Sequence, residues 1–250
     1  MKQTIEFDTY SDDVVKAPVQ DKKLPASYRW EHHSALYDTV SHMLYKPFYG
    51  WACLYIRHIL HTTIVNKQLL DKEKRGFFLY INHTQAIGDP FLASQLVTKK
   101  RAYVIASPSN LSVPLIGRLL PMLGALPVPD NLEQMRMFRK AIEEHIGQGD
   151  CIVVFPEAHV WPYYTKLRPF QNGAFQFPVD TNAPAYCAVV TYQENKHRTV
   201  YIDGPFEPDS TLPRIKKRKK LAEEVFERMN ELTAHNTVEY VQYIQRKESL

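Results

Sequence analysis

Phe77-Phe78-Leu79-Tyr80-Ile81-Asn82 is an unbroken apolar run closed by an asparagine. It is too short for a stable helix and rich in residues that favour a pleated, buried surface, so it reads as an interior strand. His83-Thr84-Gln85-Ala86-Ile87-Gly88-Asp89-Pro90 follows directly, and residues 90–99 then form a helix candidate. Working outward, further strands are expected at 102–106, 125–128, 151–155, 185–191 and 199–204. Helices are expected at 113–123, 131–147 and 213–234. In the helix at 131–147, Asp130 can cap, Glu133 completes a capping box, and Leu132, Met135, Phe138, Ile142 and Ile146 share one face. Strands alternating with helices predict an α/β fold: a single three-layer domain whose mostly buried mixed sheet is flanked by helices.

The 250 residues suffice for one large domain, and 44% apolar with 23% charged residues is ordinary for a globular chain. A net charge of +4 suits an anionic surface or a phosphorylated ligand and is too weak to argue for nucleic acid. Cys53, Cys151 and Cys187 are odd in number and far apart, two of them inside apolar runs, which reads as buried reduced thiols in a reducing compartment. The N-terminus has no signal-peptide pattern. The longest apolar stretch, 111–128, carries Arg118 and three prolines and is not expected to span a bilayer.

Three regions follow. Residues 1–35 are a polar N-terminal arm. Residues 36–66 are aromatic and apolar with scattered bases, expected to form two short helices separated at Pro47. These helices either cover an edge of the core or turn one apolar face to a membrane, with Lys46, Arg57 and His58 at the headgroups. Residues 67–250 carry the α/β domain. Its last helix opens on Arg214-Ile215-Lys216-Lys217-Arg218-Lys219-Lys220, a run that opposes the helix dipole. Anionic lipid or coenzyme A phosphates would favour it; the plain alternative is a solvated face balanced by Glu223, Glu224 and Glu227.

Chemistry concentrates at two strand ends, where α/β folds place their sites. At the first, His83 can take a proton near neutral pH, and Asp89 can hold the imidazole by its other nitrogen. Asp89 before Pro90 is also what a plain helix start looks like. At the second, Phe155-Pro156-Glu157-Ala158-His159, Glu157 can bind a hydroxylated acceptor or accept backbone hydrogen bonds in the turn. The Glu-x-His spacing is a weak metal signal, and no metal is expected. There is no Gly-x-Ser-x-Gly elbow, no cysteine beside a base and no glycine-rich phosphate loop, so a covalent acyl-enzyme is not expected.

Together the two blocks resemble the glycerophospholipid acyltransferases, whose best-known members are the 1-acylglycerol-3-phosphate acyltransferases. Asn82-His83 and Asp89 match the family's first block with one extra residue between them. Pro114-Leu115-Ile116-Gly117-Arg118 through Leu123-Gly124-Ala125-Leu126-Pro127-Val128 resembles the second, and Phe155-Pro156-Glu157 the third. Pro169-Phe170-Gln171-Asn172-Gly173-Ala174-Phe175, with Ala183-Pro184-Ala185 entering a strand, resembles the fourth. The order and spacing agree across 77–191. Two departures stand out. Pro129-Asp130 replaces the arginine that usually closes the second block, and Ala158-His159-Val160 replaces the usual Gly-Thr-Arg of the third. Those arginines are implicated in holding an acceptor phosphate.

The resemblance implies an O-acyltransferase that moves a fatty acyl group from a thioester to a hydroxyl of a lysophospholipid-like or glycerol-phosphate-like acceptor. His83 is the implied general base, oriented by Asp89. Asn82, Glu157, Lys166, Arg168 and Gly173 are the implied substrate-binding residues, with Lys166 and Arg168 candidates to replace the missing arginines. No cofactor is implied; the donor is acyl-coenzyme A or acyl carrier protein. The partners are that donor, a lipid-like acceptor and an anionic membrane surface, and the implied location is cytoplasmic, peripheral on the inner face of the cell membrane. A non-catalytic lipid-binding relative and a thioester hydrolase using the same pair are the alternatives. The first would show His83 and Asp89 beyond hydrogen-bond reach.

Overall fold

The computed structural model describes residues 3–15, 22–32, 34–86, 88–114, 116–171 and 173–246. Ile87, Leu115 and Asn172 of the motif blocks, and residues 1–2, 16–21 and 33 of the arm, lie outside the described residues. In chain order the strands are β1 (Gln3–Phe7), β2 (Thr62–Val65), β3 (Phe77–Ile81), β4 (Ala102–Ala106), β5 (Ala125–Pro127), β6 (Cys151–Val154), β7 (Ala185–Tyr192), β8 (Arg198–Phe206) and β9 (Val241–Gln245). The α-helices are α1 (Ala35–Leu54), α2 (Gln68–Lys72), α3 (Asp89–Leu96), α4 (Leu132–Gly147), α5 (Gln176–Thr181) and α6 (Arg214–Leu232).

Seven strands form one sheet in the order β2-β8-β7-β3-β6-β4-β5. Every neighbouring pair is parallel except β7–β8, so the sheet is mixed as expected. The apolar run at 77–81 lies inside it between β6 and β7, and all five residues are 0% exposed. Its side chains alternate between two cores. Phe78 and Tyr80 join Phe138, Ile142, Leu221 and Val225 under α4 and α6, while Phe77, Leu79 and Ile81 join Ile56, Leu92 and Leu96 under α3 and the end of the N-terminal helical segment. This is a three-layer arrangement, with α1 and α3 on one face and α4, α5 and α6 on the other.

Several expectations change. Residues 36–59 form one continuous helix rather than two separated at Pro47. α1 runs through Pro47 and continues as a π-helical turn over Tyr55–Ile59. Proline at 47 withdraws only the hydrogen bond to the Met43 carbonyl, on a residue 69% exposed, where water can replace it. β2 at 62–65 belongs to the main sheet, ahead of the boundary drawn at 66/67. The described residues of 113–123 make tight turns rather than a helix, because Pro114 and Pro121 interrupt the ladder. Gly117 sits where a Cβ would come within 2.3 Å of the Leu111 carbonyl. Asn131, not Asp130, caps α4 by accepting from the Gln134 N–H at 2.9 Å. Leu132, expected on the buried face, is 91% exposed.

The arm is not a loose lead-in. β1 pairs in parallel with β9, the last strand, as a separate two-stranded sheet. Phe7 packs with Trp161 and Tyr164 in a third small core beneath it. Trp30 is buried against Phe138 and donates from Nε1 to the Pro127 carbonyl at 2.9 Å.

Candidate active site

β3 and β6 run parallel, so both motif-bearing strand ends emerge on the same edge of the sheet. Asn82 follows β3 as a buried crosslink. Its Nδ2 donates to the Val190 carbonyl at 3.1 Å and its Oδ1 accepts from the Val190 N–H at 2.8 Å. The amide therefore tethers the start of the loop to β7. His83 Nδ1 lies 2.8 Å from Asp89 Oδ2, and the same oxygen accepts from the Gln85 N–H at 2.9 Å. Asp89 is fully buried, while the His83 side chain keeps 20% exposure. The imidazole stacks on Phe155 from the third block, with ring centroids 4.3 Å apart. With Nδ1 committed to Asp89, Nε2 is the nitrogen left for chemistry.

The extra residue before Asp89 is accommodated by an α-type turn, with the Asp89 N–H donating to the Gln85 carbonyl at 3.3 Å. Gly88 was expected to absorb it, yet its φ of −77° is one that any residue adopts. A Cβ there would lie 2.5 Å from Gln85 Oε1 and 2.9 Å from Leu60 Cδ1, the ends of two flexible side chains. Asp89 does not cap α3 with its side chain, because the carboxylate is turned to His83 and Gln85.

The loop after β6 is stitched to the first block by backbone bonds: Trp161 N–H to the His83 carbonyl at 3.0 Å, and Tyr163 N–H to the Thr84 carbonyl at 2.9 Å. Tyr192 at the end of β7 adds its hydroxyl, 2.9 Å from both the Thr84 carbonyl and hydroxyl. Glu157 is 1% exposed, and Arg168 Nε donates to its Oε2 at 2.7 Å. Burial raises the Glu157 carboxyl to about 7, and Arg168 and His83 hold it from rising further. Because the folded value lies above the ordinary carboxylate range, the stability contribution of this group is fully present below that range and is lost as pH rises through about 7.

Arg168 is 0% exposed. Besides Glu157 it donates to the His159 and Tyr10 carbonyls and lies 4.7 Å from the Trp161 ring centroid. Burial lowers its pKa against the pull of Glu157. Read from sequence as a substrate ligand, it has its guanidinium turned to the protein. Lys166 is exposed, and Gly173 is an exposed turn residue whose carbonyl accepts from the Gln176 N–H at 3.2 Å. The structure thus gathers His83, Asp89, Glu157 and Arg168 into one cluster with Asn82 behind it. Trp161, Tyr192 and the arm residues that complete the cluster carry no motif signal.

Ala158 sits at φ +63°, with the His159 N–H donating to the Glu157 carbonyl at 2.8 Å. This tight turn is strained for any residue with a Cβ. Ala158 is exposed, so its methyl group contributes little packing. Ala158→Gly should raise stability by roughly 0.5–1 kcal/mol, read as a higher denaturant midpoint at unchanged m-value.

The sequence model of the acyltransferase family matches residues 61–191, more than half of the chain. The chain belongs to the acyltransferase family. All four motif blocks lie inside the matched region, so the resemblance to glycerophospholipid acyltransferases holds, and the protein is an acyltransferase. Among solved structures, the fold is similar to the 1-acyl-sn-glycerophosphate (LPA) acyltransferase PlsC from Thermotoga maritima. The match has a TM-score of 0.59 at 17% identity, over 80% of this chain and 84% of that one. A comparison with curated protein sequences finds no match.

Proposed function

We propose that this acyltransferase moves a fatty acyl group from an acyl thioester to a hydroxyl of a lysophospholipid-like or glycerol-phosphate-like acceptor. The observation that carries the reading is the 2.8 Å contact of a fully buried Asp89 with a partly exposed His83. His83 Nε2 takes the acceptor hydroxyl proton as the oxygen attacks the thioester carbonyl carbon. The C–S bond then breaks, and the proton passes from the imidazolium to the departing thiolate. Asp89 fixes the tautomer and stabilises the imidazolium. Transfer is direct, without a covalent acyl-enzyme. Burial pushes the Cys151 thiol well up and the Cys187 thiol to about 12, which disfavours thiolate at either. No cofactor is required, and acyl-coenzyme A or acyl carrier protein serves as donor. Glu157 receives a hydroxyl of the acceptor. The long His-to-Asp separation that would favour a non-catalytic relative is not found.

The test is thiol release from a long-chain acyl thioester with and without lysophosphatidic acid. Acceptor-dependent release with acylated product supports the transferase. Free fatty acid without acceptor dependence would establish the hydrolase instead.

The reading includes peripheral binding at the cytoplasmic membrane face through α1. Among the described residues, no helix is long and apolar enough to cross a membrane. Yet Leu36, Met43, Trp51 and Leu54 form a stripe along α1 and are 53–73% exposed. Trp51 and Tyr55 pack on Phe91, two residues past Asp89, which links that stripe to the catalytic loop. Lys46 and Arg57 supply cations for anionic headgroups, with His58 beside Arg57. The basic run of α6 lies on the other face of the sheet and is partly balanced: Arg214 pairs with Asp180, Lys219 with Glu223, and Lys220 with Asp209 and Glu224. A Met43→Glu, Leu54→Glu double variant is expected to bind anionic vesicles at least roughly tenfold more weakly in a sedimentation assay, since two apolar insertions are lost. Its turnover of a soluble short-chain thioester should be unchanged; wild-type-like vesicle binding would remove α1 from the membrane contact.

A further inference from the structure

The family's usual third block carries an arginine two residues past the glycine; here that position is Val160, and His159 before it is held by Asp13, with Nδ1 2.5 Å from Oδ1. The buried cation of this loop is Arg168, and it reaches Glu157 from the far end of the loop. Its surroundings are built from both ends of the chain. Trp161, on whose face the guanidinium lies, is 0% exposed; it stacks on Tyr243 of β9 at 4.9 Å and meets Phe7 of β1 edge-on at 4.6 Å. Trp161 Nε1 donates to the Asp12 carbonyl at 2.9 Å, and Tyr243 donates its hydroxyl to the Pro162 carbonyl at 2.9 Å. The β1–β9 pair thus closes over the loop and shields Arg168 from water.

We propose that Arg168 is a positioning residue for acyl transfer: walled in by Trp161 and the N-terminal arm, its guanidinium binds Glu157 Oε2 and leaves Oε1 to receive a hydroxyl of the acceptor. This rests on the acceptor reading above. Three observations carry it. Glu157 Oε1 is buried and makes no well-formed hydrogen bond among the described residues, while Oε2 is taken by Arg168 and the backbone N–H of His83 is a further donor near the carboxyl. A buried carboxylate with one free oxygen is costly unless that oxygen gains a partner in the working complex, and an acceptor hydroxyl is such a partner. The guanidinium is anchored independently by the His159 and Tyr10 carbonyls, so it holds Glu157 in one place. Finally, a buried carboxylate needs a fixed counter-charge to remain ionised, and an ionised oxygen is the better acceptor for an incoming hydroxyl. Arg168 therefore serves the acceptor through Glu157 and does not contact it.

The experiment compares wild type, Arg168→Met and Arg168→Lys in acceptor-dependent thiol release from pH 5.5 to 9. Arg168→Met is expected to raise the acceptor KM at least tenfold at pH 7, with the thioester KM within twofold of wild type. The rising limb of kcat/KM for the acceptor should move to higher pH by at least one unit, because Glu157 loses the charge that keeps it ionised. Arg168→Lys should fall between the two. An unchanged pH profile, or equal losses for donor and acceptor in proportion to folded protein, overturns the proposal. Should Arg168→Met not fold, Arg168→Lys carries the test: a limb moved upward supports it and an unmoved one overturns it. Ionisation of Glu157 in the free enzyme is read separately by infrared spectroscopy, with its carboxyl band assigned by Glu157→Gln. A band that titrates at the same pH in wild type and Arg168→Lys overturns the proposal even if the acceptor is of another class. Absence of acceptor-dependent release by wild type, with that titration shifted, would count against the acceptor reading and support the Arg168–Glu157 coupling.

Discussion

His83→Ala should transfer acyl groups roughly a thousandfold more slowly than wild type, the size expected when a positioned general base is removed. The loss should fall on kcat, because the imidazole acts on a proton in flight and Nε2 makes no ground-state contact that a bound thioester needs. The fold should survive. His83 holds the loop through its Nδ1 contact with Asp89 and its stacking on Phe155, whereas the loop's backbone is secured separately by Trp161, Tyr163 and Tyr192. Leaving Asp89 with the Gln85 N–H as its remaining partner costs about 1–3 kcal/mol, which thermal unfolding would register as a lowered midpoint in a cooperative transition. The measurement is single-turnover thiol release at saturating acceptor, beside circular dichroism of the same preparation. A folded variant with undiminished transfer would remove His83 from the mechanism and direct attention to Glu157, the neighbouring carboxyl that burial brings to about 7.

The central sheet and the dyad were legible because their signals are local. A buried strand such as Phe77–Ile81 must be apolar throughout, and a loop at its end must carry whatever chemistry the edge presents. The same logic located β4, β6 and β7. What was not legible depends on partners far away in sequence. β1 and β9 are short and mixed in polarity, and they are strands because they find one another across the whole chain. β2 reads as the tail of an apolar helix until its pairing with β8 is known. Pro47 breaks a helix on propensity, yet here the missing hydrogen bond falls beside an exposed residue, and packing of Ala52 and Ile56 into the core outweighs it. At the site, Arg168 carried the right charge for a ligand, but whether a guanidinium faces solvent or a buried carboxylate is decided by what covers it. Here the cover is Trp161, brought by the third block, and Tyr10, brought by the arm.

Asp89→Asn isolates the orienting role from the fold better than any other single change, because the side chain keeps its shape in a fully buried position. The carboxylate accepts twice at Oδ2, from His83 Nδ1 and from the Gln85 N–H. Because both contacts fall on one atom, an asparagine keeps both if its carbonyl takes the Oδ2 position and neither if its amide nitrogen does. With the amide nitrogen there, its N–H faces His83 Nδ1 and donates, so Nδ1 must carry no proton, and the Gln85 N–H loses its acceptor. Nε2 is then the protonated nitrogen and cannot accept from the acceptor hydroxyl. With the carbonyl there, both bonds and the wild-type tautomer are kept, but the neutral amide no longer stabilises the imidazolium. The first route removes the base and the second weakens it, and neither removes the imidazole. The expected result is a fall in kcat of roughly 10³–10⁴-fold with substrate KM values nearly unchanged. Nitrogen NMR of labelled histidine distinguishes the two routes by reporting which ring nitrogen of His83 bears the proton. A variant that retains the wild-type tautomer and still loses activity would mean that Asp89 acts through its charge on the imidazolium. One that retains both tautomer and rate would mean that the proton is taken elsewhere.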